Sequence, residues 1–254
     1  MEDIQSINNS LEQIWNDSTL IKFKESILFE RKYWYPINEG QSDILITGIN
    51  PSYRKGDDNP WPIPVKNLLH RSKYDPYWSP LSRIVFEDRE WESGRKGLDY
   101  RMNTSVLDLF YFREKDQKYL RDTIISSWSE QESISFLVNQ LRLTQKRIES
   151  FIKPKLIIVK NKESQAYWGK LNSVDNECIW MGYQFEDIPY INRNWTLSKV
   201  VGIHPQNISG LSSSCLVENK TLVLFVPHIN QYTSKTDRPT PEIIEDLLKI
   251  QSGL

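Results

Sequence analysis

An apolar run that ends at a glycine sets the terms for this chain. Ile44-Leu45-Ile46 shows no polar alternation, and Thr47-Gly48 then leads into Ile49-Asn50-Pro51-Ser52-Tyr53. A run of that kind suits a parallel strand covered on both faces. Gly48 permits a sharp exit, and Pro51 fixes the chain just beyond it. In open α/β sheets, chemistry collects in the loops beyond the carboxyl ends of the strands. Asn50 would sit there with its amide held in place.

Three further runs repeat the pattern: Thr104 to Phe112, Pro154 to Val159, and Thr221 to Val226. Helical spacing fills the intervals. Residues 1–40 carry Ile4, Ile7, Leu11, Ile14, Trp15, Leu20, Phe23 and Ile27 at the spacing of one or two amphipathic helices. Helix is also expected from Tyr119 to Phe151 with a break near Ser126–Ser133, from Glu163 to Leu171, and from Pro241 to about Ile250. Ser79 is the expected N-cap of a helix with Pro80 in its first position. Residues 52–78 read as a long loop, and 175–215 as an insertion or hairpin rich in aromatic and β-branched residues. The expected architecture is a single domain over residues 1–254. It is an α/β fold, a three-layer α/β/α sandwich around a central, mostly parallel four-stranded sheet.

Composition removes several function classes. Lys and Arg number 32 against 33 Asp and Glu, so there is no bulk attraction for nucleic acid, although a local basic groove is compatible with that balance. Cys178 and Cys215 lie far apart, which argues against a metal cluster, an iron–sulfur site or a disulfide framework. No apolar run approaches spanning length, and the acidic N-terminus lacks a signal-peptide pattern. The expectation is a cytoplasmic, monomeric protein without membrane, metal or cofactor.

Gly48-Ile49-Asn50-Pro51-Ser52 resembles the first motif of the uracil-DNA glycosylase superfamily, nearest to its mismatch-specific branch. Downstream, Tyr77-Trp78 resembles the aromatic pair that stacks on a flipped base, and Leu107-Asp108-Leu109 through Arg113 resembles the base-reading segment. Lys153 to Ile158 resembles the third strand, and Val226-Pro227-His228 the fourth strand with the second motif's histidine. The ordered matches cover roughly Asp43 to Ser234.

The resemblance implies a monofunctional DNA glycosylase acting in base-excision repair or in defence against phage DNA with modified bases. Asn50 and His228 would be catalytic, the first orienting a water and the second donating a hydrogen bond to the departing base. Gly48, Ile49, Ser52, Tyr77 and Asp108 would contact the substrate base. Lys55, Arg113, Asn230 and Lys235 would contact DNA, with Lys55 facing phosphate or solvent. Tyr53 and Trp61 could supply a wedge for the space that a flipped base leaves.

Of three departures from the superfamily pattern, two shape the expected substrate. Ser52 stands where the uracil-specific branch has a tyrosine blocking pyrimidine C5, so a 5-substituted base has room. Asp108 replaces the base-reading asparagine; an ionised carboxylate only accepts and suits an exocyclic amine better than a carbonyl. Both favour a modified cytosine. His228-Ile229-Asn230-Gln231 replaces the superfamily's His-Pro-Ser, and His204-Pro205 offers a second candidate histidine. Alternatives are a uracil or mismatch-specific glycosylase, and a non-catalytic nucleic-acid-binding protein of the same fold.

Overall fold

The computed structural model describes residues 3–53, 62–87, 97–116, 118–126, 128–161, 163–170, 179–190 and 194–254. Its centre is a six-stranded sheet of order β2-β1-β3-β6-β5-β4. The strands are β1 (Ile44–Gly48), β2 (Thr104–Asp108), β3 (Leu156–Val159), β4 (Tyr183–Ile188), β5 (Thr196–Ile203) and β6 (Leu222–Phe225). The apolar runs of the sequence form the four parallel strands β2-β1-β3-β6. They are buried end to end, as runs without alternation require.

The expected four-stranded sheet is thus corrected to a mixed sheet of six. The extra strands come from residues 175–215: β5 pairs antiparallel with β6, and β4 pairs antiparallel with β5. In β4 only Tyr183 is fully buried, so this edge strand leaves no continuous apolar run in the sequence.

Side chains alternate between the sheet's two sides and meet two separate apolar layers. Leu45, Leu107, Ile157 and Val223 face a layer with Leu11, Phe136, Leu141 and Ile148, from the Ile4–Trp15 and Glu130–Lys146 helices and the turns after the latter. Ile46, Val106, Ile158 and Leu224 face Leu81, Ile84, Ile244 and Leu247, from the Trp78–Val85 and Pro241–Ser252 helices. Each such buried aliphatic side chain contributes about 1.5–3 kcal/mol relative to exposure. Residues 1–40 supply the Ile4–Trp15 helix, a 3₁₀ segment at Ser18–Phe23 and a short turn of helix at Ile27–Glu30.

Two helix starts are informative. Ser129 and Glu132 cap the Glu130–Lys146 helix reciprocally, which explains the break expected near Ser126–Ser133. Ser79 is not an N-cap: the helix begins at Trp78, and the Asp75 carboxylate accepts from the backbone N–H groups of Tyr77 (2.8 Å) and Trp78 (3.0 Å). The Ser79 hydroxyl instead accepts from the Asp75 N–H at 2.9 Å. A buried acceptor ahead of the helix outcompetes the serine within its first turn.

Candidate active site

The register of the parallel strands places three residues in one row at their carboxyl ends. Gly48 pairs with Asp108, and Thr47 pairs with Val159, so the next residue of the third strand, Lys160, comes level with Gly48. The row continues the face formed by Ile46, Val106 and Ile158, the face covered by the Trp78–Val85 helix. Asp108 and Lys160 are therefore buried, with exposures of 7% and 4%.

Gly48 is required by close approach. A Cβ on it would collide with Asp108 Oδ1 and stand 3.1 Å from both Cε and Nζ of Lys160. The carboxylate thus occupies the space that a methyl group would fill, with the ammonium beside it. Tyr77 closes the cluster from above. Its hydroxyl donates to Asp108 Oδ1 across 3.4 Å, and the Lys160 Nζ lies 4.4 Å from its ring centroid. Asp75, through its bonds to the Tyr77 and Trp78 backbone, sets where that ring stands.

The electrostatics follow from burial. Removal from water pushes the Asp108 carboxyl above the ordinary carboxylate value, against the pull of Lys160, the Tyr77 hydroxyl and the Gly48 backbone. Burial likewise lowers Lys160 while the Asp108 charge opposes it. The Tyr77 phenol is raised well above its usual value, first by burial and then by Asp108, so it stays protonated and available as a donor.

Asn50 follows Gly48 by two residues, just past the end of β1. Its Nδ2 donates to the carbonyl oxygens of Pro51 (3.1 Å) and Glu114 (3.0 Å), which fixes the amide. The Glu114 N–H donates back to the Pro51 carbonyl at 3.1 Å, and Phe110 N–H to Ile49 at 2.8 Å, so the loop after β1 is braced against the segment after β2. With Nδ2 committed, Oδ1 remains as an acceptor for a water.

Two adjoining clefts open over the row. One, of about 660 Å³, is lined by Gly48, Ile49, Asn50, Lys160, His228 and Asn230 among others. The other, of about 270 Å³, is lined by Trp34, Arg71, Trp78, Asp108 and Arg113 among others. Ser52 and Tyr77 line both. His228 is exposed at the rim; partial removal from water, then the Lys160 charge, hold its imidazole below the ordinary histidine value.

The histidine candidates separate in space. β5 runs antiparallel to β6, with Lys199 opposite Leu222, so its end near Ile203 passes the start of β6. His204 consequently lies at the far end of the sheet from Asn50. It lines a cleft with Gly182 and Tyr183, and its Nδ1 accepts from the Gln206 N–H at 3.2 Å.

The remaining expected contacts have mixed placements. Asn230 is exposed, with its side chain accepting from the Tyr232 N–H at 2.8 Å. Lys235 is exposed near Glu87, 3.8 Å away. Arg113 is not on the surface: it is 1% exposed, and its guanidinium lies 5.3 Å from the Tyr53 ring centroid. Tyr53 itself packs under Arg31, 4.2 Å from its centroid. Lys55 and Trp61 lie outside the described residues, as does Cys178.

Sequence reasoning missed Lys160 and Asp75. The available signal for the first was a lysine directly continuing a wholly apolar strand, Leu156 to Val159, at the level where chemistry collects. Among the described residues, no group of three or more His, Cys, Asp or Glu side chains could hold a metal, and no helix is long and apolar enough to cross a membrane. Compared with known proteins, the chain matches no family model and no curated protein.

Proposed function

We propose that this protein is a monofunctional DNA glycosylase that hydrolyses the N-glycosidic bond of a flipped, modified pyrimidine of the 5-substituted cytosine type. The observation that carries the reading is convergence. Asn50, Tyr77, Asp108 and His228, drawn from four separate parts of the chain, surround two adjoining clefts at the carboxyl ends of the parallel strands.

Each residue has a physically suited task. A flipped nucleotide must be held by stacking and edge contacts while water attacks C1′. Asn50, its amide braced by two backbone carbonyls, orients that water without ionising. His228, with its lowered pKa, is a neutral imidazole near pH 7 and donates a hydrogen bond to the base as it leaves. Tyr77 offers a ring for the base and fixes the Asp108 carboxylate. An ionised Asp108 accepts from the exocyclic amine of a cytosine-type base. Ser52, small and exposed, leaves room at C5. The biological setting would be base-excision repair or defence against phage DNA carrying modified bases.

The test is a base-release screen on DNA containing uracil, thymine mismatches and 5-substituted cytosines, scored by alkali cleavage at abasic sites. Release of a cytosine derivative, lost in Asn50→Ala, supports the reading. Efficient uracil release with every cytosine derivative ignored would remove the substrate argument. DNA binding without abasic sites on any substrate would favour a non-catalytic binder.

A further inference from the structure

Sequence order offers no lysine beside Asn50, but the fold supplies one. Lys160 comes level with Gly48 through the register of β1 and β3, and it lines the same cleft as Gly48, Asn50 and His228. The residue is only 4% exposed. Its ammonium, which makes no hydrogen bond or ion pair with the described residues, is not among the fully buried unpartnered atoms and so keeps access to the cleft. Buried charges are ordinarily paired and hydrogen-bonded, because an unsatisfied one is costly. What surrounds Nζ is the Tyr77 ring face, the Asp108 carboxylate seated over Gly48, and the cleft itself. The missing Cβ of Gly48 is what lets the Asp108 carboxylate sit there beside the Lys160 side chain.

We propose that the Lys160 ammonium is a catalytic anion-stabilising group, taking up the negative charge that grows on the departing base as the glycosidic bond breaks. This deepens the base-release reading and rests on it. In the step, the C1′–N bond breaks with its electron pair going to the base, and the oxygen of the Asn50-held water bonds to C1′. One water proton ends on the base, directly or through solvent. Lys160 keeps its protons throughout and acts by charge. Donors preset in a site sheltered from water are worth far more than in bulk solution, because nothing has to reorganise when the charge appears. The Asp108 charge helps to hold Lys160 protonated against its burial. Lys160 in turn accounts for part of the depressed His228 pKa, so the two donors to the base would be one cation and one neutral imidazole.

The test is the dependence of base release on leaving-group acidity, using DNA with 5-methylcytosine, cytosine and 5-fluorocytosine or the matching series of whichever base the protein releases. Lys160→Met should lose about 10²–10³-fold on the least acidic base and progressively less as acidity rises. Lys160→Gln, which keeps donors without the charge, should steepen the dependence in the same way. Lys160→Arg should restore the shallow dependence of the wild type. Equal losses across the series in Lys160→Met and Lys160→Gln would reveal a structural role and overturn the proposal. A borohydride-trapped protein–DNA adduct, absent in Lys160→Met, would also overturn it by making the amine a nucleophile. If the wild type releases no base at all, the base-release reading falls and takes this one with it. If it releases base and the dependences coincide, only this one falls.

Discussion

Asp108 Oδ1 occupies the space into which a Cβ on Gly48 would project. The two residues are register partners on adjacent parallel strands, so their backbones are held in place and relief must come from rotation of the carboxylate. Gly48→Ala is therefore expected to displace the carboxylate from Tyr77 and to crowd Lys160. Overpacking of this kind costs about 1–3 kcal/mol, readable in denaturant unfolding. Base release should fall much further than stability alone explains. Adding Asp108→Ala to Gly48→Ala removes the colliding atom and should recover most of the stability but none of the selectivity.

The choice of base should turn on Asp108. Asp108→Asn gives the cleft a donor as well as an acceptor, and the ratio of uracil to cytosine-type release should rise about 10–100-fold, the scale of one bidentate base contact. Competition assays with the two bases in one duplex measure it. An unchanged ratio would leave Asp108 a structural carboxylate.

Asp108 should also leave a signature in stability. Its folded pKa is raised, so the folded state holds that proton more tightly than the unfolded chain. The resulting stabilisation is fully present below the ordinary carboxylate value and is lost as pH rises through the raised folded value. Denaturation midpoints of wild type and Asp108→Asn, compared across that window, should converge at low pH and diverge above it.

The two histidines should behave differently. His228→Ala is expected to lower base release about 10²-fold or more by removing a donor at the developing charge. His204→Ala should leave the rate unchanged, because His204 stands at the other end of the sheet in a turn with Gln206. Matched single-turnover rates decide this.

Much of the parallel sheet was legible in the sequence because burial on both faces writes a continuous apolar run. Ile44-Leu45-Ile46 and Leu222-Val223-Leu224-Phe225 could hardly be anything else. The β4–β5 extension was harder to read. Glu186 and Asp187 sit on an edge strand with an open face, and local sequence cannot say that such a hairpin joins the main sheet. Asn50 and His228, singled out by the motif resemblance and by their places after apolar strands, line one cleft. Lys160 was not singled out, because a lysine after a strand ordinarily reads as solvated. Only the pairing of Thr47 with Val159 brings it level with Gly48. Asp75 was hidden for another reason: Ser79-Pro80 carries the stronger local helix-start signal, and the buried Asp75 wins through tertiary placement.

The central claim is that Asn50 holds a water for attack on a flipped nucleotide. Asn50→Ala removes that acceptor and two hydrogen bonds to backbone carbonyls, each worth about 0.5–1.5 kcal/mol, so the protein should remain folded. The most direct measurement is the rate of abasic-site formation on DNA carrying a 5-substituted cytosine, for wild type and Asn50→Ala at equal DNA occupancy. The account requires abasic sites from the wild type and a loss of about 10²–10³-fold in the variant. Equal rates from both proteins, or DNA bound by both with no abasic site from either, would contradict it.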